Sequence, residues 1–365
     1  MNRYKRHIVL DEIGQAGQAK INAAKVLVVG AGGLGCPVLQ YLTGAGIGTL
    51  GIVDFDQVEE SNLQRQVLFT TSSIGKNKAE VAKEVLLQLN PTIDIKSYPE
   101  KLVPENVVNI FKEYDIIVDG TDNFSARYLI NDACTVLNKP FVYGAIYKFE
   151  GQVTVFNYQN GPSYRCLFSK PPNKNSTPNC SEVGVLGVLP GIIGTMQANE
   201  VLKIILGIGS TLSGKLFCFN TLTNQSTVIK IKKDQTVIDA VKKQGLNFDF
   251  LENTPQCFNS VPEIEMKAII SEENVQFIDV RELTETPRVQ KDNLLEIPLS
   301  ELTENINLIS SEKKIIVFCK SGARSKQAVS TLREYHFLNC WSLKGGVFAF
   351  DKKQDIEIFQ SNSGK

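Results

Sequence analysis

The sequence predicts an α/β protein: a doubly wound, mainly parallel sheet followed by a second, smaller α/β domain. Two observations carry this reading. KVLVVG at 25–30 is a β-branched run ending in glycine, followed by LGCPVLQYLTGAG with apolar residues at helical spacing and by the strand GTLGIVDFD at 48–56. That order of strand, turn, helix and strand opens a parallel sheet. From residue 263 a second α/β pattern begins, with strands VQFIDV (275–280), KIIVFC (314–319) and NCWSL (339–343) and the helix SKQAVSTLREY before the last. A chain of 365 residues is also long for one core, so two domains fit its length.

The remaining elements follow in order. KAEVAKEVLLQLNP (78–91) reads as an amphipathic helix stopped by Pro91, and DIIVDGTDN (115–123) as a buried strand running into a polar turn. KPFVYGAIYKFEGQVTVFN (139–157) offers two more strands. FSKPPNKNSTPNCSE (168–182), rich in proline and asparagine, can hold neither helix nor ladder and predicts a long mobile loop. GIIGTMQANEVLKIILG is a helix, and KLFCFN and STVIKIK are the strands that finish the first domain. The predicted boundaries are 1–232 for that domain, 233–262 for a linker with room for one short helix, and 263–365 for the second domain.

Lys plus Arg and Asp plus Glu both number 39, so no net charge points to nucleic acid or an acidic membrane as partner. The most apolar run, residues 183–194, is cut by Pro190 and by glycines, too short a stretch to span a bilayer. MNRYKRHIVLDEIG lacks the apolar core of a signal peptide, and a cytoplasmic protein is expected. Eight cysteines are scattered without a CxxC pair, which in a reducing compartment predicts thiols rather than disulfides. With only His7 and His336 beside them, neither a Cys/His zinc site nor histidine acid–base catalysis is well supplied.

GAGGLG places glycines at 30, 32, 33 and 35, with Asp54 ending the next strand. Glycines there let backbone N–H groups approach phosphate oxygens at a helix N-terminus, and the acid can take ribose hydroxyls. This turn alone suits a nicotinamide dehydrogenase equally well. The polar run after the acid, DFDQVEESNLQRQVLFTTSSIGKNKAE, brings Asn62, Arg65 and Lys78, which a simple dinucleotide fold has no reason to contain. Together with TDN at 121–123 and RYKRH at 3–7, this set resembles the MoeB/ThiF family of ubiquitin-activating-type adenylyltransferases over most of residues 1–230.

The resemblance implies a Rossmann-like adenylation domain that binds ATP and magnesium. Gly30, Gly32, Gly33 and Gly35 would hug the phosphates and Asp54 would hold the ribose. Arg65 and Lys78 would neutralise the β- and γ-phosphates with help from Asn62, and Asp122 would hold magnesium near the α-phosphate. Arg6 matches an arginine that the family supplies to the neighbouring subunit's site, which implies a homodimer. The reaction implied is attack of a carrier protein's C-terminal carboxylate on the α-phosphate. Fixed cations are what allow one anion to meet another.

Family members commonly hold zinc with two CxxC pairs. Here SYRC (163–166) keeps Cys166 but has Ser163 at the first position, and no second pair stands at IKIKKDQT, so no structural zinc is expected. Cys180, in PNCSEVGVLGVLPG, lies in a segment that resembles the family's crossover stretch carrying a reactive cysteine. A lone cysteine is otherwise most often a small packed residue.

Cys319 ends a strand and opens KSGARS. Backbone N–H groups and a helix N-terminus should converge on an exposed sulfur there, with Lys320 and Arg324 adding positive charge. DVRE (279–282), EIPLSEL (296–302), CKSGARS (319–325) and LKGGVFAF (343–350) together resemble the rhodanese sulfurtransferases. The departure is LTETPRVQKDNL (283–294), shortened where the family usually has a GHIPGA-like segment, a change expected to alter the pocket rim but to remove no catalytic residue. Asp279 and Arg281 read as organisers of the loop. A phosphatase is disfavoured because one residue too few separates Cys319 from Arg324.

The two resemblances imply one cycle. ATP adenylates the Gly-Gly carboxylate of a ubiquitin-like sulfur carrier, and a persulfide on Cys319, loaded by a cysteine desulfurase or by thiosulfate, converts it to a thiocarboxylate for molybdenum cofactor or thiamine synthesis. A nicotinamide oxidoreductase and a non-catalytic scaffold for a ubiquitin-like partner are the alternatives.

Overall fold

A computed structural model of the protein describes residues 3–169, 184–245, 263–269, 272, 274–291, 293–310, 312–320, 322–335, 337, 339–350 and 356–357, the last two by backbone alone. The proline- and asparagine-rich segment expected to be mobile lies, from residue 170 onward and with Cys180, outside the described residues. The chain divides into two compact units, Met1–Cys257 and Phe258–Lys365.

The first unit is built on an eight-stranded sheet. In chain order its strands are β1 (Lys25–Val29), β2 (Thr49–Val53), β3 (Asp94–Tyr98), β4 (Ile116–Asp119), β5 (Phe141–Tyr147), β6 (Glu150–Phe156), β7 (Lys215–Asn220) and β8 (Gln225–Lys230). Across the sheet the order is β3-β2-β1-β4-β5-β6-β7-β8. Strands β3 to β5 along that order pair in parallel, whereas β5 to β8 pair antiparallel. The chain runs outward from β1 to β3, then returns to place β4 on the other side of β1. That reversal opens a crevice beyond the carboxyl ends of β1 and β4.

Local chemistry explains the elements that line this crevice. All four residues of β4 and all but the first of β1 are buried, as central parallel strands covered on both faces require. The helix Gly35–Ala45 closes with Gly46 in the left-handed region at φ 86°. The helix Lys78–Leu89 is capped by Asn77, whose side chain accepts the Glu80 N–H, and the helix Phe124–Leu137 by Asn123, which accepts that of Ala126. Both caps place the first helical turn against the crevice. Gln197, from the long helix Val188–Leu206, reaches over the sheet and donates to the carbonyls of Asp119 and Val142 at 2.7 and 3.3 Å.

Two apolar clusters sandwich the sheet. One gathers Leu39, Leu42, Leu86 and Val201 against Val28 and Ile52; the other gathers Phe111, Tyr128, Phe141 and Tyr164 against Leu27 and Ile117. Burying each such side chain contributes about 1.5–3 kcal/mol before the entropy of ordering the chain is set against it. The helix Gln235–Gln244, capped by Asp234, buries Ile238 and Val241 and rests on the helix Phe124–Leu137. It sits within the segment that reads as linker from sequence.

The second unit has a five-stranded parallel sheet. Its strands are β9 (Glu263–Ile264), β10 (Val275–Asp279), β12 (Leu294–Glu296), β13 (Lys314–Phe318) and β14 (Cys340–Leu343), in the order β12-β10-β13-β14-β9. Strand β11 (Arg288–Val289) pairs separately with β15 (Ile356–Glu357). The helix Ala323–Glu334 packs across β13 and β14 and buries Ala328, Val329 and Leu332. Among the described residues of both units no helix is long and apolar enough to cross a membrane.

Candidate functional site

The glycine turn is shaped by close approach. Gly30 has φ 94°, and its N–H donates to the Val53 carbonyl at 2.8 Å. A Cβ on Gly35 would lie 1.9 Å from the Gly30 carbonyl oxygen, so only glycine lets the helix start this close under the turn. The Asp54 carboxylate accepts the N–H groups of Ala31 at 2.7 Å and Asp56 at 2.9 Å, tying the end of β2 to the turn. Burial raises its pKa, an effect opposed by Lys78 and by those two N–H groups.

A cavity of about 880 Å³ opens beyond this turn, at the reversal point of the sheet. Gly30, Gly32, Gly33, Asp54, Asn62, Arg65, Lys78 and Asp122 all line it. Lys78, only 6% exposed, begins its helix and pairs with Asp56 at 3.4 Å. Arg65 is half-buried and donates to the Ser61 carbonyl at 2.9 Å, while Asn62 is buried and caps the short turn it belongs to. Asp122 is exposed at the start of the TDN turn. Gly35 and Arg6 are not among the lining residues: Gly35 supports the turn from below, and Arg6 is exposed on the short helix Lys5–Ile8.

One residue that the sequence reading passed over completes this wall, held by a second one buried behind it. Arg127 lines the cavity, pairs with fully buried Asp119 at 3.5 Å and donates to the Thr121 carbonyl at 3.1 Å. Its guanidinium also lies over the rings of Phe124 and Tyr143, at 5.6 and 5.4 Å. The only sequence signal was its place four residues after Asn123, one turn into a helix whose cap faces the crevice.

Burial pushes the Asp119 carboxyl up to about 6, against the opposing pull of Arg127 and of the Thr121 N–H and hydroxyl. The folded carboxyl therefore holds its proton to higher pH than an unfolded one, with its usual value of 3.8. Folding loses stability as pH climbs from the unfolded value to about 6, and the penalty is constant above that. Asp119→Asn removes the slope. The variant's thermal midpoint, compared with that of wild type, should gain steadily across this window and then level; a difference independent of pH would contradict the assignment.

Cys166 is also engaged. Its sulfur accepts the N–H groups of Ser163 at 3.3 Å and Asp234 at 3.4 Å and lies 3.4 Å from the Ser163 hydroxyl. It joins two segments far apart in the chain. Among the described residues no group of three or more His, Cys, Asp and Glu side chains is placed to hold a metal.

In the second unit, Cys319 follows β13 directly. Its sulfur accepts the Gly322 N–H at 3.1 Å and lies 3.6 Å from the Ser325 hydroxyl, itself 2.9 Å from that of Ser342. Gly322, at φ 101°, turns the chain over the sulfur and into the helix Ala323–Glu334. The expectation of an exposed thiol is corrected: Cys319 is 1% exposed, with the Gly322 N–H turned inward onto the sulfur. Its carbonyl accepts the Val347 N–H at 2.8 Å, so the Gly345–Gly346 turn closes the other side. Asp279 and Arg281, both essentially inaccessible, form a forked ion pair with distances of 2.6 to 3.1 Å. Removing one partner of such a pair costs about 3–5 kcal/mol.

Arg324 does not offer the loop a bare positive charge. Glu285 grips both of its terminal nitrogens, at 2.5 and 2.8 Å, and also accepts the Glu282 N–H at 3.0 Å. The Arg324 guanidinium, with help from that N–H, holds the Glu285 carboxyl down to about 2. Glu285 is in the segment 283–294, expected from sequence to alter the pocket rim.

Residues 4–238 match the ThiF family and residues 264–353 the rhodanese-like domain. The probable adenylyltransferase/sulfurtransferase MoeZ of Mycobacterium tuberculosis is 37% identical, over 98% of this chain and 94% of that protein. The sulfur carrier protein adenylyltransferase of Thermus thermophilus is 48% identical, over 64% of this chain and 88% of its own length. Among solved structures, E. coli MccB with ATP superposes with a TM-score of 0.56 at 25% identity, covering 64% of this chain and 72% of MccB. The chain belongs to the ThiF family, also carries a rhodanese-like domain, and is an enzyme of the adenylyltransferase and sulfurtransferase class.

Proposed function

We propose that the first unit uses ATP to adenylate the C-terminal Gly-Gly carboxylate of a ubiquitin-like sulfur carrier, and that Cys319 of the second unit supplies the sulfur that turns it into a thiocarboxylate. The observation that carries the first half is the convergence of Gly30, Gly32, Gly33, Asp54, Asn62, Arg65, Lys78 and Asp122 on one cavity. The name of the Thermus relative supports a sulfur carrier as substrate.

The glycine turn cradles the phosphates with backbone N–H groups, and Asp54 takes the ribose while holding that turn in place. Lys78 and Arg65 neutralise the β- and γ-phosphates, and Asn62 orients them. Asp122 fits magnesium, which binds through one or two carboxylates together with phosphate oxygens and water; such an ion would lend positive charge beside the α-phosphate. The carrier's carboxylate oxygen attacks the α-phosphorus, the bond to the β-phosphate breaks, and pyrophosphate leaves with the electron pair. Arg6 serves the neighbouring subunit's crevice in a homodimer, in keeping with its exposure.

The outer sulfur of a Cys319 persulfide then attacks the acyl carbon and expels AMP. Cys180 either takes the acyl group as a thioester beforehand, in which case it is Cys180 that expels AMP and the persulfide then displaces the Cys180 thiolate, or acts only afterwards; cleavage of the acyl disulfide by Cys180 leaves a Cys180–Cys319 disulfide that an external dithiol reduces. The thiocarboxylate serves molybdenum cofactor or thiamine synthesis in the cytoplasm. The test is incubation with each candidate carrier, ATP, magnesium and a sulfur source, followed by intact mass measurement of the carrier. Exchange of one oxygen for sulfur is expected with at least one carrier. Absence of AMP and pyrophosphate with every carrier would overturn the reading.

A further inference from the structure

The charges around the Cys319 loop point to the chemistry of the sulfur donor. Two of the possible donors differ sharply in charge. Thiosulfate is a dianion: a cysteine thiolate attacks its outer sulfur, the S–S bond breaks, and sulfite leaves as a dianion with the electron pair. Three negative charges must meet for this step. With a persulfide on a cysteine, the same attack breaks an S–S bond and releases a thiolate. At most two negative charges meet there, and only one if the persulfide is protonated. A site that takes thiosulfate therefore needs surplus cations beside the thiol, whereas one that takes a persulfide does not.

The arginines do not supply that surplus. Around the loop and on the segment 279–296, each described arginine is matched by a carboxylate: Arg281 by Asp279, Arg288 by Glu296 and Asp279, and Arg324 by Glu285. Arg324 is the arginine within the loop motif, and the charge of Cys319 is among the influences acting on it. Its two terminal nitrogens are both turned to Glu285, so its fork is spent on that residue rather than on an incoming sulfonate. Glu285 is charged throughout the physiological range. Lys320 is exposed, and among the described residues it alone of these cations has no carboxylate partner.

We infer that Glu285 is a specificity-determining residue: by neutralising Arg324 it turns the Cys319 loop away from thiosulfate and toward a persulfide carried on a cysteine of a donor protein. The inference rests on the sulfurtransferase half of the function proposed above. It concerns only the loading of Cys319, which precedes any encounter with the carrier.

The test uses the full chain and follows single-turnover loading of Cys319 by intact mass, counting only sulfur that is not acquired by Cys319→Ala. Thiosulfate and cysteine persulfide are the two probes. Glu285→Gln keeps the size of the side chain and an acceptor for the Glu282 N–H but removes the charge. It should raise the loading rate with thiosulfate about tenfold and change that with cysteine persulfide by less than about threefold. Glu285→Asp keeps the charge and should stay near wild type with both probes. No gain with thiosulfate in Glu285→Gln, an equal change with both probes, or an equal gain in Glu285→Asp would each overturn the inference. Wild-type protein that loads from neither probe would sink the sulfurtransferase reading along with it.

Discussion

With Cys319→Ala, thiocarboxylate formation is expected to fall below detection while carrier-dependent ATP–pyrophosphate exchange stays within about twofold of wild type. The split follows from the division of labour. Exchange needs only the crevice at the β1/β4 reversal, and the substituted atom is one sulfur in another unit, at the end of β13. The substitution removes the nucleophile without enlarging the residue. It leaves the Gly322 N–H without its acceptor, a local cost of about 1–3 kcal/mol that falls on the second unit. Radiolabelled pyrophosphate exchange and intact mass of the carrier, read from one preparation, separate the two steps. Sulfur transfer that persists in this variant would show another residue to be the donor.

The second large effect is at Lys78. Lys78→Met should lower the exchange rate by a factor on the order of 10² to 10³, the usual consequence of removing one fixed charge from a transition state rich in phosphate charge. Methionine is the better substitution because Lys78 is buried and its stem is part of the packing. Loss of the ammonium also exposes a hidden cost, since Lys78 opposes the burial of Asp54 and pairs with Asp56 at 3.4 Å. ATP affinity measured by calorimetry should therefore weaken together with the rate. Exchange retained within tenfold would show that Lys78 serves the turn rather than the phosphates.

The glycine turn, its helix and the acid ending β2 were legible because all three are local: β-branched run, GAGGLG and Asp54 lie within one strand–helix–strand unit. The edge strand β3 escaped notice because it is DIKSY, in which only Ile95 is buried, too little periodicity to stand out beside its neighbours. Arg127 and Asp119 were missed for a different reason. Their pairing depends on how tightly the TDN turn folds back, and no spacing in the sequence encodes that. Glu285 meets Arg324 across 39 positions, a contact that exists only once β10 and β13 lie side by side. The burial of Cys319 was likewise hidden, since KSGARS has the composition of an exposed loop and only its path, turned at Gly322, encloses the sulfur.

That enclosure decides what can be handed over. A thiol with 1% exposure is open only to a slender group, whereas a second sulfur bonded to it stands about 2 Å farther out. On the proposed role of Cys319 the cargo would thus be its own handle. A recipient must come to that recessed spot on something narrow, and a chain end of two glycines, which has no side chains to catch on the rim, is the thinnest probe a protein can extend.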